Sequence, residues 1–244
     1  MNQDPRDTHV DAFATLAPGG RSGIIRRAPQ PPDLAAPPGA GAWAASDLFP
    51  IDQFHPDGTD HRPATTARVL YDDEALFVQF DVDDRFVRAV QTEFQGPVCT
   101  DSCVEMFFWP APALGYFNLE MNCGGTLLWQ YYPDVAPPPP GLWRHRVQPT
   151  ADEAAAIVRR TSLALPVEPE LTEPTRWRLA VRLPFAALEP YIGAAAFPAP
   201  GTQWRLNLYK CGDRTSHPHW AAWSPIGAQL SFHQPTVFGM MTFG

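Results

Sequence analysis

The sequence predicts an all-β fold, a single antiparallel β-sandwich of the jelly-roll-like type. Three observations support this prediction. Apolar and polar residues alternate with a period of two from Thr65 onward, which is typical of half-buried strands. Roughly ten such segments follow one another, separated by short turns rich in Gly, Pro and Asp. Long segments with helical periodicity are scarce, and many short strands without helices indicate a sandwich.

The size and composition of the chain fit one such domain. Its 244 residues suit a single all-β domain, and 45% hydrophobic residues can form a substantial core. Many of the 29 prolines lie in the first part of the chain, where they disfavour helices and sheet ladders. We therefore expect residues 1–40 to form a flexible tail and residues 41–244 to form the domain.

Individual elements follow from the alternation and from turn signals. Gly124 and Gly125 stand between two alternating runs and predict a hairpin. Pro184 predicts one helical turn over residues 184–188, and Thr150 to Glu153 resembles a helical capping box. The predicted strands are residues 67–71, 75–82, 102–109, 116–123, 126–132, 143–147, 157–165, 176–183, 204–211 and 237–243.

Charge and hydropathy exclude two classes of partner. The net charge of −8 disfavours binding to nucleic acid, because an acidic surface repels phosphate. No run of 18 apolar residues is present, so we expect no membrane span. The first 20 residues contain no apolar stretch, so we expect no signal peptide and, by default, a cytoplasmic location. The oligomeric state is left open.

The most informative segment is the predicted strand at residues 116–123. One face carries Phe117, Leu119, Met121 and Cys123 and is expected to face the core. The other face carries Asn and Glu in mid-strand positions, where β propensity disfavours them. If the neighbouring strands lie beside this one, their outward residues extend the same surface. The predicted polar patch is Glu105, Glu120, Asn122, Arg205 and Asn207.

Such a patch suits a sugar. Carboxylate, amide and guanidinium groups hydrogen-bond to hydroxyls, and an aromatic side chain stacks on the apolar face of a sugar ring. A purely structural network that ties two strands together is the alternative. The aromatic walls are predicted in the loop after residue 211, at His219, Trp220 and Trp223, although Trp223 also suits the core.

Three sequence motifs resemble those of family 9 carbohydrate-binding modules, within the group of DOMON-like β-sandwiches. They are LYDDEALFV at residues 70–78, DSCVEMFF at 101–108 and FHQPTVFG at 232–239. The resemblance covers the chain from about Trp43 to its end. It implies a non-catalytic carbohydrate-binding protein that holds the end of a mono- or oligosaccharide and supports carbohydrate catabolism.

The resemblance also implies roles for particular residues. Glu105 matches an acid that contacts the ligand, while Glu120 and Asn122 lie on the strand that supplies further polar contacts. The family clamps its ligand between two aromatic rings. The first is missing here, because residues 96–100 read GPVCT. The second is expected near Phe232 and His233, so the Trp220–Trp223 loop is predicted to replace part of the clamp.

Two other functions are consistent with the residues. Glu105 and Glu120 could form the carboxylate pair of a glycoside hydrolase, which requires both to face one cleft. A haem-binding DOMON-like domain would need an axial ligand such as Met121 or His233. The sequence contains no P-loop, nucleophile elbow or H-E-x-x-H motif, so other enzyme classes have no support.

Cofactors are not expected. Some members of the family hold calcium, and the weak candidates for its ligands are Asp72, Asp73, Asp83 and Asp84, although acidic turns usually have no metal. Cys99 and Cys103 have a C-x₃-C spacing, but no second Cys or His pair completes a zinc motif. The four cysteines are therefore expected to be thiols.

Overall fold

The computed structural model describes residues 5–139, 141–142 and 144–244, with side chains from Val10 onward. Three α-helices lie in this part of the chain: α1 (Pro5–Ala14), α2 (Ala151–Ala154) and α3 (Phe185–Ile192). The strands are β1 (Ser22–Arg27), β2 (Phe49–Pro50), β3 (Gln53–Phe54), β4 (Ala64–Tyr71), β5 (Ala75–Asp84), β6 (Val87–Ala89), β7 (Cys103–Trp109), β8 (Tyr116–Asn122), β9 (Leu127–Tyr132), β10 (Val158–Thr161), β11 (Val167–Leu171), β12 (Thr175–Pro184), β13 (Gln203–Cys211), β14 (Trp220–Ala222) and β15 (Gly239–Phe243).

The strands form a β-sandwich, as predicted. What we term the front sheet has the order β1-β15-β13-β7-β8-β9, and the back sheet has the order β10-β12-β5-β4. Strand β1 joins the two, because Ser22 to Ile25 pair with β15 and Arg26 and Arg27 pair with β4. The central pairings β13-β7-β8 are antiparallel, so neighbouring side chains on one face are held at a fixed register.

The main core lies between the two sheets. The front sheet contributes the predicted inward residues Val104, Met106 and Phe108 from β7, and Trp204 and Leu206 from β13. Period-two alternation therefore sends the residues between them to the outer face of the front sheet. A second apolar cluster covers part of that outer face. It includes Phe13, Phe107, Trp109, Tyr116, Tyr132, Tyr209, Ile226 and Phe238.

The predicted hairpin and the two predicted short helices are confirmed. The turn between β8 and β9 contains Gly125 at φ +90°, a left-handed conformation that favours glycine. Thr150 and Glu153 form both reciprocal bonds of a capping box at α2. Helix α3 follows Pro184 and is longer than the single turn predicted.

Residues 1–4 of the predicted tail lie outside the described residues, and the described part of the tail differs from the expectation of flexibility. Strand β1 lies inside the continuous sheet, with Ile25 fully buried. Phe13 packs edge-on against Trp109, at a ring-centroid distance of 4.9 Å. The residues from 10 to 40 therefore pack on the sandwich, because β1 satisfies its backbone groups by parallel pairing with the last strand of the chain. The limits of an independently folding domain stay a prediction.

The predicted strands at residues 157–165 and 237–243 are shorter in the structure, and the one predicted at 143–147 is not formed among the described residues. The strand at residues 157–165 ends at Thr161. The prediction at 143–147 includes Trp143, which lies outside the described residues, and Val147 forms only an isolated bridge with Tyr131. None of the helices in the described part of the chain has the length and hydropathy needed to cross a membrane.

Candidate functional site

A pocket of about 200 Å³ opens on the outer face of the front sheet. Strands β7, β8 and β13 form its floor, and the segments around residues 213, 220 and 230–233 form its walls. Among the described residues, no lysine or arginine lines it. The lining residues are Cys99, Glu105, Phe107, Glu120, Cys211, Asp213, Trp220, Leu230, Ser231, Phe232 and His233.

Two carboxyl groups lie on the floor of the pocket. Glu105 on β7 is directly opposite Glu120 on β8, and the two side chains are 1% and 6% exposed. Glu120 Oε1 accepts a hydrogen bond of 2.7 Å from Asn118 Nδ2. Glu105 Oε1 accepts one of 3.1 Å from Cys211 Sγ, whereas Glu105 Oε2 is buried and has no partner among the described residues. A free, buried acceptor at a pocket floor is a ready contact for a ligand donor.

Burial changes the protonation of both acids. It raises the pKa of Glu120 to about 7, although the hydrogen bond from Asn118 opposes this. Burial and the neighbouring Glu120 raise the pKa of Glu105 well above its ordinary value. Two carboxyl groups held this close resist ionising together, so the pair retains a proton near neutral pH.

The walls of the pocket are aromatic. Phe232 lies face-to-face on Tyr209, with ring centroids 4.0 Å apart and an interplanar angle of 11°. Trp220 is half-buried, and its Nε1 donates a 2.7 Å hydrogen bond to Asp213 Oδ1. Both Phe232 and Trp220 pack against the same small apolar cluster, which includes Cys211. The pocket thus combines two aromatic faces with acidic hydrogen-bonding groups.

His233 separates this pocket from a larger cavity of about 490 Å³, which Arg144 and Arg146 also line. Its Nδ1 lies 2.9 Å from the Tyr116 hydroxyl. Burial and the two arginines lower the pKa of His233 to about 4, so the imidazole is neutral at physiological pH. The two cavities share His233 and Ser231, which makes them neighbours on one surface.

Five of the predicted ligand-binding residues line the pocket together: Glu105, Glu120, Trp220, Phe232 and His233. Asn122 does not. Its Nδ2 donates to Asp101 Oδ2 and to the Gln91 carbonyl, and its Oδ1 accepts from Thr126. Asn122 therefore ties the β8–β9 turn to a neighbouring loop, which is the structural alternative that the sequence left open.

Arg205 and Asn207 also have structural contacts. Asn207 exchanges two hydrogen bonds with the backbone of Ser224, at 2.9 and 2.8 Å. Arg205 is fully buried beneath the N-terminal segment. Its guanidinium donates to the backbone carbonyls of Ala12, Phe13, Thr15, Thr236 and Phe238. Of the five residues in the predicted polar patch, only Glu105 and Glu120 line the pocket.

Trp223 and His219 point into the interior. Trp223 is 3% exposed and packs edge-on against Phe49 in the main core. His219 Nε2 accepts a 2.7 Å hydrogen bond from Lys210 Nζ, which in turn lies 3.3 Å from Asp84 Oδ2. The prediction that His219, Trp220 and Trp223 together form the aromatic walls treated the loop as one unit. Only one residue in that loop, Trp220, has its ring at the pocket.

Sequence reasoning missed six lining residues: Cys99, Phe107, Cys211, Asp213, Leu230 and Ser231. Phe107 and Cys211 had a usable signal, because alternation along their strands places them on the same face as Glu105 and Tyr209. Cys99 lies at the position where the family's first aromatic ring was expected. Leu230 and Ser231 belong to a segment without periodicity, so no local pattern indicated them.

The four candidate calcium ligands are not brought together. Asp72 and Asp73 lie at one end of β5, and Asp83 and Asp84 lie at the other. Asp73 pairs with Arg27 at 2.5 Å, and Asp84 pairs with Lys210 and His61. The possible haem ligands are also apart: Met121 is in the core between the sheets, whereas His233 lies at the outer face.

Comparison with known proteins identifies the family. The model of the family described as "Carbohydrate-binding family 9" matches residues 43–243. The chain belongs to carbohydrate-binding family 9. This match begins at Trp43, the residue near which the sequence motifs placed the start of the resemblance. No curated protein matches the chain.

Solved structures share the fold of this family 9 protein. A candidate carbohydrate-binding protein of Bacteroides uniformis ATCC 8492 is 27% identical, with a TM-score of 0.77 over 92% of this chain and 100% of its own. Two structures of a family 9 module from Caldicellulosiruptor kristjanssonii are 12% identical. The one in complex with glucose has a TM-score of 0.59 over 92% of this chain and 96% of its own. The one in complex with cellotriose has a TM-score of 0.60 over 91% and 93%.

Proposed function

We propose that this protein binds carbohydrate without catalysis and that the pocket above Glu105 and Glu120 holds one sugar ring at the end of a mono- or oligosaccharide. The observation that carries the proposal is the buried Glu105–Glu120 pair on a floor flanked by Trp220 and Phe232. The pocket, at about 200 Å³, is smaller than the roughly 300–1,000 Å³ of sites for drug-sized ligands, which favours a single ring.

The chemistry of the floor suits hydroxyl groups. A hydroxyl both donates and accepts, and a carboxyl pair that shares a proton offers both functions. Glu105 Oε2 has no partner among the described residues, so a ligand hydroxyl would satisfy it. The flanking rings of Trp220 and Phe232 provide flat apolar surfaces of the kind that stack on the C–H face of a sugar.

The related structures agree with this choice of ligand. Modules of the same family have been captured with glucose and with cellotriose. We infer a β-glucan end as the first ligand to test. The larger cavity beside His233 would accommodate the continuing chain, because it opens next to the pocket.

Catalysis is a weaker alternative, although Glu105 and Glu120 do share one pocket. A retaining glycosidase needs one ionised carboxylate and one protonated carboxyl, held in different environments. Here the pKa of both acids is raised by burial, and no described lysine or arginine lines the pocket to hold one of them ionised. Calcium binding and a role in carbohydrate catabolism remain expectations from the resemblance.

A glycan array followed by a hydrolysis assay tests the proposal. The full chain is expected to bind a limited set of glycans that share one terminal sugar. Incubation with the best ligand should release no reducing sugar above the level seen with Glu105→Gln, which lacks the carboxyl group that a hydrolase would use as its acid or nucleophile. Turnover that Glu105→Gln abolishes would instead favour the hydrolase, and a folded protein that binds no glycan would reject the proposal.

A further inference from the structure

Two cysteines and one glutamate meet beneath the pocket. Cys103 on β7 and Cys211 on β13 are directly paired across the sheet, and Glu105 lies two residues along β7 on the same face. One ligand atom from each of the three lies within 4.8 Å of the others. All three residues are buried. The C-x₃-C spacing did not reveal this cluster, because its second cysteine comes from a strand more than 100 residues away in the chain.

The spacing fits a tetrahedral metal ion. Glu105 Oε1 lies 3.1 Å from Cys211 Sγ and 3.8 Å from Cys103 Sγ. Zinc bound at ordinary Zn–S and Zn–O lengths would set neighbouring sulfur and oxygen ligands about 3.5 Å apart. The two sulfurs of such a site would lie about 3.8 Å apart, and here all three ligand atoms lie within 4.8 Å of one another, so shifts of about 1 Å or less would bring them to bonding distance.

On the pocket side, no described lysine or arginine balances this cluster; the nearest buried cation, Lys210, bonds to the Cys211 carbonyl and pairs with Asp84. Glu105 is 1% exposed, and its Oε2 has no partner among the described residues. Glu120 and Asp213 line the same pocket, which no described lysine or arginine enters. Buried carboxylates are normally paired with a cation or bound to a metal.

We propose that Cys103, Glu105 and Cys211 bind a thiophilic divalent cation of the zinc type, with a fourth coordination position open toward the pocket. Thiolate ligands favour zinc and similar soft or borderline ions over calcium and magnesium, which prefer oxygen. Cys211 and Glu105 line the pocket itself, so the open position is on the ligand side. Three protein ligands with one open position is the arrangement of zinc sites that exchange a small ligand.

This site does not depend on the proposed carbohydrate function. Glu105 could bind the ion through Oε1 while Oε2 remains available to a sugar hydroxyl. The two properties are therefore measured separately, on protein with and without metal.

The test uses the full chain, treated with a chelator and kept reduced with a phosphine. Cobalt(II) is titrated first and then displaced by zinc. We expect one cobalt per chain, thiolate-to-cobalt charge-transfer absorption, loss of that absorption on adding zinc, and a higher Tm with zinc than with chelator. Replacing both sulfurs in Cys103→Ser/Cys211→Ser should weaken cobalt binding roughly 100-fold or more and abolish the charge-transfer band.

Cys123→Ala is the matched control, because Cys123 is a buried thiol in the main core, outside the cluster. It should retain the band. Glu105→Gln keeps both thiols and provides a second test if the double variant fails to fold. This variant should lower the affinity for cobalt and retain the sulfur-to-cobalt absorption.

A folded, reduced wild-type protein without a cobalt–thiolate band would overturn the proposal. So would a band that Cys123→Ala removes and Cys103→Ser/Cys211→Ser leaves. Sugar titration of the chelated protein reports on the carbohydrate function alone.

Discussion

Phe232 lies flat on the ring of Tyr209, with 4.0 Å between the ring centroids, and this stack fixes one wall of the pocket. Tyr209 is fully buried on β13, so the sheet itself sets the orientation of Phe232. A wall held in this way is available to a ligand without reordering. Preorganised contacts of this kind lower the entropic cost of binding.

Phe232→Ala is expected to weaken sugar binding about 10-fold, since an aromatic contact contributes roughly 0.5–1.5 kcal/mol beyond its buried area and 1.4 kcal/mol is a factor of ten. Calorimetric titration with the best glycan measures this. Phe232→Trp should retain binding, because the flat apolar face remains. Phe197→Ala is the matched control, because Phe197 is 46% exposed and lies outside the pocket. Equal affinities for Phe232→Ala and wild type would show that this wall does not contact the ligand.

Trp220 and Trp223 are three residues apart, and we expect substitutions at Trp220 to affect sugar affinity and substitutions at Trp223 to affect stability. Trp220 lines the pocket, whereas Trp223 is 3% exposed in the core. Trp220→Ala should reduce the sugar affinity of the folded protein. Trp223→Phe should lower the free energy of unfolding by about 1–3 kcal/mol and leave the affinity of the folded protein unchanged. Denaturant unfolding and calorimetry separate the two effects, and the reverse pattern would contradict the assignment of the wall.

Alternation predicted the parts of the site that lie on regular strands. It placed Glu105 and Glu120 on the face opposite the core residues Met106 and Met121, because a period of two fixes the face of each residue. The sandwich followed from the same pattern. Phe232 was indicated by the position of a family motif.

Contacts between segments that are far apart in the chain determine the features that local sequence patterns do not predict. The sequence predicts a flexible tail where the structure has strand β1, because the parallel partner of this strand, β15, comes at the far end of the chain. Arg205 and Asn207 shared the outer face with the glutamates, but local alternation does not show which outer residues other segments cover. Asp213 follows β13 in a loop, and it reaches the pocket only because β13 pairs with β7.

Arg205 is expected to hold the N-terminal segment on the sandwich. Its guanidinium is fully buried and bonds to carbonyls of Ala12, Phe13 and Thr15. Arg205→Met should lower the free energy of unfolding by about 3–5 kcal/mol, because buried carbonyls lose their donors. Arg160→Met, at an exposed arginine, serves as the control. Proteolysis near residue 15 should also accelerate in Arg205→Met, and resistance equal to wild type would argue against this role.

Acid is expected to destabilise the fold through the interior cluster around His219. Burial and Lys210 lower the pKa of His219 to about 3, and His61 lies beside it at a ring-centroid distance of 5.0 Å. Lys210, with His61, also holds the pKa of Asp84 below its ordinary value despite burial. A histidine with a lowered pKa in the folded state stabilises fully above its unfolded pKa of about 6.5, and this stability is lost as the pH falls toward the folded value.

The contribution of each such histidine to the free energy of unfolding should therefore fall below pH 6.5 by about 1.4 kcal/mol per pH unit. The raised pKa values of Glu105 and Glu120 act in the opposite direction over the same range, so the histidine contribution is measured as a difference between wild type and His219→Gln. Denaturant unfolding between pH 7.5 and 4.5 measures this slope. On acidification from pH 7.5 to 4.5, His219→Gln should become more stable relative to wild type, and His145→Gln, at an exposed position, should follow wild type. If the free energy of unfolding depends on pH in the same way in His219→Gln and in wild type, groups other than His219 cause the acid sensitivity.

The central claim is that a sugar binds over the Glu105–Glu120 pair. Calorimetric titration of the full chain with glucose, cellotriose and the best glycan from the array tests it most directly, with Glu105→Gln, Glu120→Gln and the exposed control Glu173→Gln alongside. We predict one binding site per chain in wild type and in Glu173→Gln, and an affinity at least about 10-fold weaker in at least one pocket variant. The two acids share a proton, and replacing the one that is ionised removes a charged hydrogen bond, which contributes about 1.5–3 kcal/mol. Unchanged affinity in both folded pocket variants would contradict the account.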